Sequence, residues 1–180
     1  MNICENRLKI FFTLILQALF FNSNTQSVFI ENKGQFNEEV IAKINVPSGS
    51  LFIERDKLKF AFFSSEQLKQ RHDLIDKKSM IDAHAYTVSF VNSRQTHSTF
   101  FANEESYFEN YFLGPKSNWA TNVRTYKSVH KKDLYAGIDL NYYMYNDNIK
   151  YDFIISPNAS PSEIKILYEG LQIIYIDNIG

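Results

Sequence analysis

Cysteine, proline and glycine are all scarce in this 180-residue chain, which has one cysteine, four prolines and six glycines. The cysteine is Cys4, so no later thiol can form a disulfide or bind a metal ion. The isolated glycines exclude a glycine-rich phosphate-binding loop. Lysine and arginine (19) nearly balance aspartate and glutamate (20), so the chain lacks the basic field that drives nucleic-acid binding. We therefore expect no nucleic-acid partner.

Aromatic residues, in contrast, make up 16% of the chain, with 16 Phe, 11 Tyr and 1 Trp. Phe and Tyr suit pleated, half-buried surfaces, so this composition indicates β structure. The longest apolar run covers residues 10–21, which is shorter than the roughly 20 residues that a membrane-spanning helix needs. We expect no membrane span in the mature chain.

Residues 1–26 have the order of a secretory signal peptide. Arg7 and Lys9 precede the apolar run of residues 10–21, and a polar stretch of small residues follows it. The sequence therefore predicts that a Sec-type signal directs the protein to the cell surface or the medium. Residues 27–180 then form the mature chain, which we predict to be a single domain.

Apolar and polar residues alternate through much of residues 27–180. The clearest case is residues 84–92, where Tyr86, Val88 and Phe90 share one face. Similar patterns cover residues 57–62, 150–155 and 163–168.

Turn signals separate these patterns, at residues 47–50 and, most strongly, at residues 146–148. The expected fold is all-β, mainly antiparallel and sandwich-like, with the N-terminal signal helix and at most one or two short helices. Residues 65–82 break the alternation and carry Leu68, His72 and Ile75 at helical spacing, which favours a solvated loop with a partial helix.

The residues that usually hold metal ions or perform catalysis form no recognisable motif. The four histidines are widely spaced and lack the H-E-x-x-H pattern, so we predict neither a metal site nor a cofactor. Asp139 and Asp152 lie on either side of the hairpin predicted at residues 146–148, and paired carboxylates are the groups that a glycoside hydrolase needs. In the simpler interpretation Asp139 supports the turn after Gly137 and Asp152 lies on the wet face of its strand.

Aromatic side chains also raise the alternative of a carbohydrate-binding module, because ring faces stack on sugars. Trp119, Tyr143 and Tyr145 are the candidate stacking residues. Tyrosine is equally common in the cores and edges of β domains, and Trp119 is expected to pin a long loop to the core.

Several segments in one order carry a resemblance to a known family. Residues 29–36 read F-I-E-N-K-G-Q-F, residues 84–91 read H-A-Y-T-V-S-F-V, and residues 110–123 read N-Y-F-L-G-P-K-S-N-W-A-T-N-V. Together with the segments at residues 46–62 and 134–170, they resemble the β-rich N-terminal domain of unknown function of large secreted Bacteroidetes-type proteins.

The resemblance implies a non-catalytic structural or interaction module of a secreted or cell-surface protein. Proteins of this kind continue into β-propeller-type (SBBP) or PKD-like repeats, which would be partners of the domain, and many end in a gliding-motility-associated or type IX secretion sorting domain. The resemblance assigns no catalytic residue. It also implies further strands beyond residue 170, so residues 171–176 are expected to begin a strand of a C-terminally truncated domain.

Overall fold

A computed structural model describes the fold of residues 27–73, 80–95, 98–146 and 148–173, without the side chains of residues 70–73. Residues 1–26, which hold the predicted signal peptide, lie outside the described residues. The predicted strand at residues 171–176 lies partly outside them, and its described part, residues 171–173, is not in a strand.

The described residues form ten strands and one α-helix. The strands are β1 (Phe29–Glu31), β2 (Val40–Val46), β3 (Gly49–Glu54), β4 (Lys57–Phe63), β5 (Ala83–Phe90), β6 (Ser98–Tyr111), β7 (Ala120–Tyr135), β8 (Ile138–Tyr145), β9 (Asn148–Ile155) and β10 (Ile166–Glu169). The helix α1 spans Ser65–Asp73, and short 3-10 turns span Lys116–Asn118 and Pro161–Glu163.

All the strands belong to one antiparallel sheet, in the order β10-β5-β4-β3-β2-β1-β7-β8-β9, with β6 also paired to β7. The sheet curls into a half-barrel. The prediction of a mainly antiparallel all-β domain is confirmed. The sandwich-like part of the prediction corresponds to one curled sheet that encloses the core.

The long strand β7 explains the curl. Tyr126 of β7 pairs with both Glu104 of β6 and Phe29 of β1, whereas residues 128–131 pair with both β6 and β8. Strand β6 therefore follows one edge of β7, while β1 and β8 follow one another along its other edge. Because β1 and β8 each continue into further strands, the sheet has to bend at β7.

The hairpin predictions are confirmed. Strands β2 and β3 join through Pro47 and Ser48, and β8 and β9 join at residues 146–147. Ser48 has φ 59° and Asn146 has φ 49°, which is the left-handed region that such turns require. Gly137 at the β7–β8 turn has φ 69°, a conformation that favours glycine.

The partial helix predicted after β4 is confirmed, because residues 65–73 form the helix α1. The hydroxyl oxygen of Ser64 accepts the backbone N–H of Gln67 at 3.3 Å, which caps the helix. Near the C-terminus, the alternation at residues 163–168 places the last strand three residues early, since β10 begins at Ile166 after a 3-10 turn. In the described ranges, no helix has the length and apolarity needed to cross a membrane.

The core fills the inside of the curl. Alternate residues of the strands point inward, as the period-2 pattern predicts. The buried cluster includes Phe29, Ile44, Leu51, Ile53, Leu58, Val88, Phe90, Val129, Leu134, Leu140 and Tyr142.

The two end strands of the sheet, β9 and β10, approach each other through side chains. The hydroxyl groups of Tyr151 and Tyr168 interact across this seam, and both burial and this interaction raise the pKa of Tyr151. The rings of Phe90 and Phe153 meet edge to face at 6.0 Å. No backbone pairing joins β9 to β10 in the described strands, so the seam is closed by side chains alone.

A lysine is buried in this core. Lys131 on β7 is fully enclosed, and its ammonium group donates hydrogen bonds to the backbone carbonyls of Glu54 and of Arg55, the latter at 2.7 Å. Burial lowers the pKa of Lys131 from 10.5 to about 7, although the charges of Asp56 and Glu54 act in the opposite direction. The two hydrogen bonds attach β7 to the turn between β3 and β4.

The depressed pKa of Lys131 predicts that stability rises with pH. Above about pH 7 the folded chain releases a proton that the unfolded chain keeps up to about pH 10.5. Lys131 thus contributes a slope of up to about 1.4 kcal/mol per pH unit to the free energy of unfolding in that window. Urea unfolding between pH 7 and pH 9.5 measures this slope.

The variant Lys131→Met removes the titrating group, and we expect the slope to disappear. Lys69→Met, which changes an exposed lysine on α1, is the matched control and should keep it. An unchanged slope in Lys131→Met would contradict the assignment.

Candidate functional site

One group of polar and aromatic side chains stands out on the outside of the curled sheet. We call it the outer patch, and its six members project from strands β6 to β9: Phe100, His130, Asn141, Tyr143, Tyr145 and Asp152.

Strand alternation places these side chains outward. Val129, Leu140 and Tyr142 are fully buried in the core, so their neighbours along the same strands face the other way. The outward orientation of His130, Asn141 and Tyr143 follows directly.

Strand register then aligns four members of the outer patch in one row. Phe100 of β6 lies opposite His130 of β7, His130 lies opposite Asn141 of β8, and Asn141 lies opposite Asp152 of β9. Directly opposed residues have Cβ atoms about 5 Å apart. The row is therefore a continuous strip across four strands.

At one end of the row, the rings of Phe100 and His130 stack with centroids 4.9 Å apart and planes 6° from parallel. Burial lowers the pKa of His130, partly offset by the charge of Asp139. This shift favours the neutral imidazole, whose Nε2 lies 3.2 Å from the hydroxyl of Ser128.

The contact between Ser128 and His130 does not resemble an activated nucleophile. Ser128 is only 4% exposed, so a substrate has no access to its hydroxyl. The same hydroxyl oxygen lies 3.4 Å from the carbonyl oxygen of Ala102 and accepts from the amide of Asn103 at 3.3 Å. Ser128 therefore serves to orient His130 and to link β6 to β7.

The middle of the patch offers hydrogen-bonding groups. The interaction with the Asp152 carboxylate raises the pKa of Tyr143. The carboxamide oxygen of Asn141 lies buried without a hydrogen-bond donor from any described residue. An unpaired acceptor of this kind is costly to stability, and its burial keeps that oxygen out of reach of a ligand.

Exposed rings flank these polar groups. Phe100 is 46% exposed and Tyr145 is 59% exposed. An open surface with ring faces, a neutral imidazole, an amide and one carboxylate is suited to binding an uncharged, hydroxyl-rich ligand.

A cavity of about 550 Å³ lies beside the β3–β4 turn. Its buried carboxylate, Glu54, binds Lys59 at 2.7 Å and lies 3.7 Å from Lys57. Lys59 also contacts Glu39 at 3.7 Å, and its hydrogen bond to Glu54 raises the pKa of Lys59. These charges neutralise one another. The charged side chains of this cavity are therefore best explained as an ion-pair network that holds β3 and β4 together.

A metal site needs several histidine, cysteine or acidic side chains close together. Within the described ranges, no group of three or more of them is arranged to hold a metal ion.

The comparisons with known proteins give the family of the chain. Residues 29–180 match the family described as a domain of unknown function, DUF7948. This chain belongs to the DUF7948 family. Comparison with the curated proteins gave no match, and comparison with the solved structures gave none either. The family description assigns no role to any residue, so the outer patch of this DUF7948 domain rests on its geometry alone.

Of the three stacking candidates in the DUF7948 domain, the structure brings two together. Tyr143 and Tyr145 lie on the same face of β8. Trp119 precedes β7 and lies nine residues before Ser128, the partner of Tyr143, which corresponds to roughly 30 Å of extended strand. Trp119 is 44% exposed and bonds to the carbonyl of Gly114, so it braces its own loop and does not pin that loop to the core as expected.

The two carboxylates of the hydrolase alternative are diagonal neighbours on the outer face, since Asp139 lies opposite Ile154 and Asp152 opposite Asn141. Asp139 accepts hydrogen bonds from Lys132 at 2.6 Å and from the backbone N–H of Asp133 at 2.8 Å. Burial pushes the pKa of Asp139 upward, but these bonds bring it below its usual value. A general acid needs the opposite shift.

Sequence reasoning missed Phe100, His130 and Asn141 as members of the site. Alternation on β7 and β8 places His130 and Asn141 on the polar faces of their strands, and this signal was available. What the sequence lacks is the register that brings β6, β7, β8 and β9 side by side.

The contacts of Asp139 predict a pH-dependent contribution to stability. We expect Asp139→Ala to lower the free energy of unfolding at pH 7 by about 1–3 kcal/mol, because two hydrogen bonds to a carboxylate are lost. The folded pKa is depressed, so the contribution is fully present above the unfolded value of 3.8 and is lost below it, as the pH falls through the folded pKa.

Chemical denaturation at pH 7 and pH 3 measures both effects. Asp152→Ala is the matched control, because Asp152 is exposed and its loss should change stability by less than about 1 kcal/mol. Equal losses in the two variants, or a loss in Asp139→Ala that is the same at both pH values, would show that the bonds of Asp139 are unimportant.

Proposed function

We propose that this DUF7948 domain is a non-catalytic interaction module of a secreted or cell-surface protein, and that the outer patch is its binding surface. The observation that carries the proposal is the row from Phe100 to Asp152, which places polar side chains beside the exposed rings of Phe100 and Tyr145. Two groups beside this row are unsuited to catalysis, because the pKa of Asp139 is lowered and the hydroxyl of Ser128 is enclosed.

The N-terminal segment supports the location. Residues 1–26 have the charge, apolar run and small polar residues of a Sec-type signal peptide. The resemblance described above to N-terminal domains of large secreted Bacteroidetes-type proteins supports the same location. In such a protein the module would precede SBBP or PKD-like repeats and a sorting domain, with the repeats as its neighbours.

The outer patch favours carbohydrate as the ligand class. Tyr143 and Tyr145 offer ring faces for a sugar, while His130, Asn141 and Asp152 can exchange hydrogen bonds with its hydroxyl groups. This is the carbohydrate-binding alternative carried by Tyr143 and Tyr145, without Trp119. The glycoside-hydrolase alternative has less support, because the lowered pKa of Asp139 opposes its use as an acid.

Binding to a set of soluble polysaccharides, followed by isothermal titration calorimetry, tests the proposal. We expect at least one polysaccharide to bind and Tyr145→Ala to weaken that binding by roughly tenfold, since stacking on one ring contributes about 1 kcal/mol or more. Asn141→Leu should weaken binding similarly, because it removes the polar side chain at the centre of the row while leaving a side chain of comparable size.

Tyr107→Ala is the matched control, because Tyr107 is another tyrosine exposed to 44% but lies outside the outer patch. If binding is lost equally in the control, or persists in both patch variants, the outer patch is not the binding site. Release of reducing sugar from a bound polysaccharide would overturn the non-catalytic part of the proposal.

A further inference from the structure

The end of the β6–β7 hairpin exposes three large apolar side chains in eight residues. Leu113 is 77% exposed, Phe112 is 55% exposed and Trp119 is 44% exposed. We call residues 112–119 the hairpin tip. Contiguous exposed apolar surface of this kind marks an interaction site more often than an accident of folding.

The hairpin tip is held in this arrangement by its own contacts. The rings of Phe112 and Trp119 meet edge to face at 5.3 Å. The indole N–H of Trp119 donates to the carbonyl of Gly114 at 3.3 Å, and its backbone N–H donates to the carbonyl of Lys116 at 3.1 Å. The apolar groups are thus presented outward by a braced loop, and docking them requires little further ordering.

The hairpin tip itself carries one charged residue, the cation Lys116, and no carboxylate. The nearest carboxylate along β6 is that of Glu109, which accepts a hydrogen bond from the hydroxyl of Tyr111 at the base of the tip. The Lys116 ammonium lies 5.7 Å from the centre of the Trp119 ring. A second cation, Lys33, donates to the backbone carbonyl of Asn122 at 3.2 Å, just beyond the tip.

The side-chain hydrogen bonds of the hairpin tip are made within the tip itself. Besides the indole bond, the hydroxyl of Ser117 donates to the side-chain oxygen of Asn118 at 3.0 Å. The apex therefore offers apolar bulk and positive charge, without a polar group aimed at a particular partner. A lipid interface needs only these two properties, whereas a specific protein groove usually also reads hydrogen bonds.

We propose that the hairpin tip inserts into the interface of an anionic lipid surface. Leu113, Phe112 and Trp119 enter the boundary between headgroups and acyl chains, which is the depth that tryptophan prefers. Lys116 and Lys33 then lie at the level of the negatively charged headgroups. This surface is separate from the outer patch, so the inference does not rest on the proposed function.

Trp119 is the only tryptophan in the chain, so its fluorescence reports directly on the hairpin tip. The full chain is mixed with vesicles of phosphatidylcholine and phosphatidylglycerol, and emission and co-sedimentation are followed. We expect a blue shift of Trp119 emission and binding that is stronger to these vesicles than to phosphatidylcholine alone. Leu113→Asp should bind roughly tenfold more weakly, since it removes the most exposed apolar group.

Met80→Asp is the matched control, because Met80 is 93% exposed and lies outside the hairpin tip; it should bind as the unaltered chain does. The unaltered chain and the two variants carry the same N-terminal segment. Any contribution of residues 10–21 to lipid binding is therefore equal in all three, and the differences between them report on the substituted residues. Circular dichroism checks that each variant is folded. An unshifted Trp119 emission, or binding that survives Leu113→Asp, would overturn the proposal. A hairpin tip that docks into a protein groove instead would give this negative result with vesicles.

Discussion

The architecture depends on the shared edge of β7. Two strands, β1 and β8, pair with successive parts of one edge of β7, and each leads into its own series of strands. The sheet can satisfy both pairings only by bending, and the bend creates the enclosed core. Lys131, in the half of β7 that pairs with β8, fastens the bend by bonding to the carbonyls of the β3–β4 turn.

Local features of this fold were predictable from the sequence because they depend on neighbours in the chain. Alternation identified β4, β5 and β9, since apolar side chains on one face of each pack against the core. The turn at residues 146–148 was predictable because Asn and Asp tolerate positive φ. The partial helix after β4 was predictable from the helical spacing of its few apolar residues, whereas its exact start depends on the hydrogen bond that Ser64 accepts from Gln67.

The candidate site was much less predictable, because it depends on strand register. Tyr143 and Tyr145 are close in sequence, and their proximity was evident. Phe100 and His130 join them because β6 pairs with β7 and β7 pairs with β8, and the sequence carries no signal for the register of these two pairings. Trp119 shows the opposite error. Its aromatic ring suggested that it stacks on a ligand together with Tyr143 and Tyr145, but the length of β7 separates it from them.

The outer patch and the hairpin tip differ in the kind of recognition they offer. The outer patch combines rings with donors and acceptors at fixed positions across four strands, and this arrangement suits selection among similar ligands. The hairpin tip offers apolar area and positive charge, which suits retention at a surface. A domain with both could hold a protein at a boundary while it samples ligands there.

The gap at the seam between β9 and β10 follows from the number of strands in the sheet. The described path from β10 to β9 contains nine strands joined by eight antiparallel pairings, so its first and last strands run in the same sense. An antiparallel ladder cannot join two such strands, however closely the curl brings them together. A tenth member of the path, running in the opposite sense, is the smallest addition that closes an all-antiparallel circuit. The contacts of Tyr151 with Tyr168 and of Phe90 with Phe153 thus bridge a gap that follows from an odd number of strands.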